Sequence, residues 1–178
     1  GYRTPRAFST VAQEVDRLHK AGKLNPIQEA LFEPKPAEQL FDCVADPDNV
    51  HNLAGDPAHR QMLERLRAAN RAHLLRIRDT GFMSEPILRE LSGKESPSKV
   101  GRDDQVYALA RIIDIVDRLQ LGKGPAAADL KAALADPLPT IRFWGALAAL
   151  RAPKSVADLA PLLKDPNGSV RLAAAFVM

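Results

Sequence analysis

Leu130-Lys131-Ala132-Ala133-Leu134-Ala135-Asp136-Pro137-Leu138-Pro139-Thr140-Ile141-Arg142 is answered 29 residues later by Leu159-Ala160-Pro161-Leu162-Leu163-Lys164-Asp165-Pro166-Asn167-Gly168-Ser169-Val170-Arg171. Leu130, Leu134, Asp136, Pro137, Ile141, Arg142 and Ala146 recur as Leu159, Leu163, Asp165, Pro166, Val170, Arg171 and Ala175. Seven matches in one register are hard to obtain by chance and mark an internal repeat. Each block reads as a helical hairpin in which one helix ends at the Asp-Pro turn and a second begins a few residues on. Small alanines let neighbouring helices approach, while the leucines and Ile141 or Val170 fill the seam. A chain organised this way is mainly α.

The repeated blocks resemble the short HEAT-like repeats of the phycobilisome-lyase type, and the resemblance covers 125–178. It implies structural roles for Asp136, Arg142, Asp165 and Arg171, through hydrogen bonds between repeats. The alternative is a basic binding ridge, which would rest on only two arginines. Met178 falls inside the second helix of the second repeat, with no polar outer face after Ala173-Ala174-Ala175-Phe176-Val177. Solenoids need about three or more repeats and a polar terminal cap, so the natural protein is expected to continue.

Working back from the repeat, Val106, Leu109, Ile112, Ile113 and Val116 give an amphipathic helix over 103–119, closed by Gly122-Lys123-Gly124-Pro125. Before it, Ser92-Gly93-Lys94-Glu95-Ser96-Pro97-Ser98-Lys99 is polar and rich in turn formers, which predicts a linker. The long helix of the first half opens at Asp56-Pro57 and runs to about Arg78, with Leu63, Leu66, Leu74 and Ile77 on one face and Arg60, Arg67, Arg71 and Arg78 on another. A short helix is expected over 11–20, stopped by Gly22, and a helical turn over 26–32. Leu40-Phe41-Asp42-Cys43-Val44 reads as a short strand, ended by the turn chemistry of Asp46-Pro47-Asp48-Asn49.

The stretch over 35–53 resembles the C-terminal signature of bacterial sulfatases related to heparan N-sulfatase. Pro36, Glu38, Leu40, Phe41, Asp42, Asp46, Pro47, Asn52, Leu53, Ala54, Asp56 and Pro57 follow it in order. Flanking resemblance at Ala21-Gly22-Lys23-Leu24-Asn25 and Arg78-Asp79-Thr80-Gly81-Phe82 extends the match over about 2–102. The resemblance implies a C-terminal subdomain, a short antiparallel sheet with a long helix, packed beside a large α/β catalytic domain. In such enzymes the Cys or Ser of a Cys/Ser-x-Pro-x-Arg motif becomes formylglycine, and a calcium ion steadies the sulfate oxygens. Cys43 is followed by Val44, Ala45 and Asp46, so it is not that precursor. Formylglycine and calcium are therefore implied only for a parent enzyme, and no cofactor is expected in this fragment.

Other chemistry is thinly represented. A single cysteine excludes an internal disulfide and any cysteine-rich zinc site. The formal charge of +3 is dispersed among 22 acidic residues and aromatics are only 5%, so no nucleic-acid footprint is expected. No apolar run reaches a dozen residues, so no membrane span is expected either. His51, His59 and His73 have no pair at i and i+3 or i+4, which argues against a metal site. Asp103-Asp104 at a helix start reads as capping, and Ser96 and Ser98 have no His or Asp arranged around them. Asn70 and His73 lie among the leucines of the long helix, either as a hydrogen-bonded core pair or as a contact with a missing catalytic domain. The arginine stripe reads as intrahelical pairing with Glu64, with a sulfated glycan as the functional alternative.

The expected architecture is mainly α with a small antiparallel β element: a sulfatase C-terminal subdomain over 1–92, a linker over 93–102 and a helical region with two HEAT-like repeats over 103–178. No catalytic residue is expected within it. The expected role is to support the catalytic domain of a sulfatase, periplasmic or secreted, with the repeats free for packing or a protein partner. A non-enzymatic HEAT-repeat scaffold is the alternative.

Overall fold

The computed structural model describes residues 9–122, 124–152 and 158–178. Their contacts gather into two compact units, Gly1–Arg60 and Gln61–Met178. The small antiparallel sheet expected in the first half is absent, and no strand forms among the described residues. None of the described helices is long and apolar enough to cross a membrane.

In the first unit, α1 (Thr10–Lys20) is capped by Ser9 and ends at Gly22, whose φ of +62° suits a residue without a Cβ. The amide of Lys23 bonds back to the Leu18 carbonyl at 3.0 Å and closes that end. The short α2 (Pro26–Glu29) opens with a reciprocal capping box between Asn25 and Gln28. His19 stacks on Phe32, with ring centroids 3.7 Å apart, and reaches the Glu29 carboxylate at 2.5 Å. These contacts tie α1 to the turn that follows α2.

The segment expected as a strand fails to become one because its own side chains capture the backbone. Asp42 Oδ1 accepts the N–H groups of Val44 and Ala45 at 3.0 and 3.1 Å, and the Asp42 carbonyl accepts from Asp46 at 2.7 Å. Groups committed to a local turn are lost to a ladder. Leu40 does meet Leu53 through one backbone bond of 2.7 Å, but its own N–H goes to the Asn52 side chain. A single backbone bond does not make a sheet.

The second unit holds α3 (Arg60–Ile77, whose first residue lies in the first unit), α4 (Glu85–Ser92), α5 (Pro97–Gly101), α6 (Leu109–Gln120), α7 (Ala127–Leu134), α8 (Pro139–Ala148) and α9 (Gly168–Val177). The stretch over 93–102 lies within this unit, and Val100 and Gly101 are buried. Leu109, Ile112, Ile113 and Val116 bury one face of α6, the spacing of an amphipathic helix. They pack with Met83, Val100, Tyr107, Ala133 and Ile141 into the larger core cluster. Expected from 103, α6 instead begins at Leu109, because Asp103 is spent on a turn: its carboxylate takes the Gln105 amide and its carbonyl those of Val106 and Tyr107. Tyr107 is fully buried and donates its hydroxyl to the Asp79 carbonyl at 2.6 Å. Burial pushes that phenol well above its ordinary value.

A second cluster joins α8 and α9 through Ala146, Leu159, Leu162, Val170, Ala173 and Ala174. The close approach of α7 to α8 depends on Gly145, where an added Cβ would stand 3.0 Å from the Ala133 Cβ and 3.2 Å from the Ala133 carbonyl carbon. Replacing Gly145 by Val is expected to wedge these helices apart and lower stability by about 1–3 kcal/mol, read as a lower urea midpoint with an unchanged slope. An unchanged midpoint would mean that the two helices separate freely.

Candidate functional site

Two clusters of side chains organise the chain, one in each unit. The first surrounds the loop over 38–59. Asn52 Oδ1 accepts the amides of Leu40 at 2.9 Å and Ala54 at 3.0 Å, and its Nδ2 donates to the Glu38 carbonyl at 3.1 Å. Asp46 accepts from Val50 at 3.1 Å and His51 at 2.7 Å. Asp56 caps the next turn by accepting from Ala58 at 2.9 Å, and His59 Nδ1 lies 3.0 Å from its other oxygen. Asn49 takes a left-handed φ of +54°, a conformation that asparagine tolerates.

Hydrogen bonding to the charged form holds all three carboxyls below the ordinary carboxylate range. The causes are Ala45 then Val44 for Asp42, His51 then Val50 for Asp46, and Ala58 then His59 for Asp56. These side chains bond the backbone around them. Beside the loop lies an open cleft of about 660 Å³ lined by apolar groups including Ile27, Leu31, Pro34, Pro36, Phe41 and Val50. Among the described residues that line it, Glu33 and Asp48 are the only carboxylates, and none is a histidine or cysteine.

The second cluster contains the four repeat residues. Arg142 forms a two-point pair with Asp165, Nε to Oδ2 at 2.7 Å and Nη2 to Oδ1 at 3.0 Å. Its Nη1 donates to the carbonyls of Asp136 and Pro137 at 2.7 and 2.9 Å. Arg171 repeats the inner half, donating to the carbonyls of Asp165 and Pro166 at 2.7 and 3.0 Å. Asp136 receives Arg111 from α6, and Arg78 meets Asp104 at 2.7 Å and the Gly101 carbonyl at 2.7 Å. Arg142–Asp165 joins two of the four residues to which the repeat resemblance gives structural roles, whereas Arg78–Asp104 and Arg111–Asp136 were not expected from the sequence. Only the separation betrays them, 26 and 25 residues against 23 for Arg142–Asp165.

Burial works against ionisation of Asp165, but Arg142, the Asn167 amide and the more distant Arg171 together hold its carboxyl below the ordinary range.

The remaining candidates stay apart. Asn70 and His73 are both exposed on α3, and His73 Nδ1 lies 2.9 Å from Arg76 Nη2. Arg71 of the arginine stripe pairs across to α6, with Asp114 at 2.8 Å and Asp117 at 3.8 Å. Cys43 is exposed, 3.7 Å from the Asn49 side-chain oxygen. Among the described residues no three His, Cys, Asp or Glu side chains converge as a metal site.

Over 96 residues the chain is 35% identical to an ulvan-active sulfatase of Formosa agariphila, a match covering 53% of this chain and 16% of that protein. The chain therefore spans about a sixth of the length of the curated relative it matches. No family model matches the chain. No solved structure matches it at a significant level. The similarity supports a sulfatase-related region within the chain.

Two outcomes are expected of these clusters. Asn52→Ala should strip hydrogen-exchange protection from the amides of Leu40 and Ala54 while leaving α3 protected; protection retained at both would assign the loop's shape to something else. Carboxyls held low stabilise the fold above their unfolded values near ~4 and release it as pH falls through the folded values. Acidification below about pH 4 should therefore loosen the amides of Val44, Ala45, Val50 and His51 together. In the second unit, Asp165→Ala leaves Arg142 without its carboxylate. It is expected to cost on the order of 3 kcal/mol near neutral pH and to flatten the loss of stability in acid.

Proposed function

We propose that this chain is a C-terminal part of a sulfatase, in which the first unit packs against a catalytic domain that supplies the formylglycine and the calcium ion. The observation that carries this reading is the 35% identity over 96 residues to a sulfatase. It is supported by the first unit's lack of a core, since none of its described residues is buried. Val11, Ile27 and Leu31 are 72%, 60% and 54% exposed there, and the cleft beside Ile27 and Leu31 offers an apolar surface for a neighbouring body. Asn70 and His73, exposed on α3, are further candidates for contact with that domain.

The chain on its own performs no hydrolysis in this reading. Its contribution is mechanical: Asp42, Asp46, Asn52 and Asp56 fix the shape of a loop that the catalytic domain rests on. The second unit is a HEAT-like extension for packing or for a protein partner, and the whole is periplasmic or secreted. A non-enzymatic helical scaffold is the second reading, favoured by the arginine–aspartate pairs that hold the helical turns of the second unit together.

The test compares residues 1–178 with the longer polypeptide encoded by the same gene, on aryl sulfates and on ulvan, which the relative's name gives. Sulfate release is expected from the longer polypeptide and none from the chain alone. Leu31→Glu should leave the chain alone within about 0.5 kcal/mol of its original stability, as exposed changes do, and should lower the unfolding midpoint of the longer polypeptide. An upstream sequence lacking Cys/Ser-x-Pro-x-Arg and holding only further helical repeats would sink the reading in favour of the scaffold.

A further inference from the structure

Of the five asparagines in the chain, Asn167 alone is followed by glycine. That dipeptide is chemically labile, because the N–H of a glycine meets no side chain of its own as it closes on the asparagine Cγ. In the fold, Asn167 stands at the start of α9 and is 4% exposed. Its Oδ1 accepts the amides of Ser169 at 3.0 Å and Val170 at 3.3 Å. Its Nδ2 donates to Glu90 Oε2 at 2.6 Å, and its backbone N–H donates to Asp165 Oδ1 at 2.8 Å. Both ends of the carboxamide are therefore held.

The equivalent place one repeat earlier is built differently. There α8 opens on Leu138-Pro139 with no side-chain cap, and the proline ring presets the helical φ. Opening on Asn167-Gly168, α9 has no such constraint and relies on the Asn167 side chain for its first N–H groups. The same side chain reaches α4 through Glu90, beside a contact in which Ser84 donates to the Ser169 hydroxyl at 2.9 Å. One carboxamide thus serves as helix cap and as a tie between helices.

We infer that Asn167 is a site of non-enzymatic deamidation, closed in the folded chain and opened when the start of α9 comes loose, whose product weakens the tie of α9 to α4. In the reaction the Gly168 backbone nitrogen forms a bond to the Asn167 Cγ. The bond from Cγ to Nδ2 breaks, and ammonia leaves with the proton given up by the Gly168 N–H. Water then opens the five-membered imide at either carbonyl, leaving an aspartate or an isoaspartate. The folded arrangement opposes the first step, since the carboxamide is fixed at both ends and buried. In the aspartate product the cap persists, because a carboxylate oxygen accepts the same two amides. The donor to Glu90 does not persist. An oxygen takes its place, and two carboxylates then face each other in a nearly closed site, where like charges disfavour ionisation. The isoaspartate product also lengthens the main chain by one carbon atom between the Asp-Pro turn and α9. The inference rests on the second unit alone and is independent of the sulfatase reading.

The experiment holds the full chain in mildly alkaline buffer, folded and in unfolding urea, and follows the peptide around Asn167 by the mass gain of NH2 replaced by OH. Deamidation of the folded chain is expected to be slower than that of the unfolded chain by about tenfold or more, in keeping with the fraction of time that α9 is open. It should rise with urea in parallel with hydrogen exchange at Ser169 and Val170. Gly168→Ala should suppress it in both states, and the added Cβ fits, standing 3.5 Å from Arg171 Nη2. Asn167→Asp reproduces one product and should lower the urea midpoint. Glu90→Gln in that variant should restore most of the loss, because the new amide donates to the new carboxylate. Equal rates in the folded and unfolded chain would overturn the gate, and an unfolded chain that keeps its amide would overturn the site. An Asn167→Asp chain as stable as the original, or one that Glu90→Gln fails to repair, would overturn the effect on α4.

Discussion

A carboxylate buried at the mouth of a helical turn is the constraint on which the second unit is built. Asp136 and Asp165 retain 8% and 7% of their exposure, and each has one oxygen committed to the amide two residues on. Such groups are tolerated in the interior only when charge and hydrogen bonds are supplied together. Arg111 and Arg142 supply them from the preceding helices. Arg142 also holds the carbonyls of its own turn, so one guanidinium fixes the distance between successive turns. The apolar seam follows from that spacing. Phe143 and Leu147 meet the cluster around Val170, Ala173 and Ala174 because the pair sets the register of α8 against α9.

The same logic runs backward through the unit with less regular parts. Arg78 ends α3 at a left-handed φ of +57°, a conformation that costs a non-glycine residue about 1 kcal/mol or more. Its side chain offsets that cost by gripping the Gly101 carbonyl and Asp104. Gly101 must lie close for this, and a Cβ there would come within 2.7 Å of the Thr80 methyl. Trp144 donates to the Phe82 carbonyl at 2.7 Å, and Asn167 to Glu90 at 2.6 Å, so the segment around α4 is tied to the middle of α8 and the start of α9. Polar contacts of high sequence separation thus fix helices whose apolar faces alone would permit sliding.

Legibility in the sequence followed how local each cause was. The Asp-Pro blocks stand out because both copies keep the same residues at the same spacing, and α7, α8 and α9 form as helices around them, while the first helix expected in the second block forms only a 3-10 turn, Ala160–Lys164. Arg78–Asp104 and Arg111–Asp136 do not stand out, since Asp104 lacks a following proline and the arginines sit outside the repeated block. Asp103 and Asp104 look like one capping pair in sequence, but one closes a turn and the other crosses to α3. The strand expected at Leu40–Val44 failed for the opposite reason. Its side-chain types favour a sheet, while Asp42 and Asn52 offer the backbone nearer partners than another strand does. Asn70 and His73 lie on a helix whose periodicity suggests a buried stripe, and periodicity is silent on which body does the burying.

The first unit poses the sharper physical question. Its loop is shaped by side-chain bonds to backbone, each contributing about 0.5–1.5 kcal/mol net, whereas ordering the backbone costs about 1–2 kcal/mol per residue. With none of its described residues buried, apolar burial within the unit adds little to the favourable side. In the proposed sulfatase reading its exposed apolar side chains are the material for burial against the catalytic domain. The sulfatase-like signature changes meaning in this light. Asp42, Asp46, Asn52 and Asp56 all accept from nearby amides, so these residues shape a loop. In the proposed reading such residues brace a surface, and the chemistry belongs to the domain that rests on it.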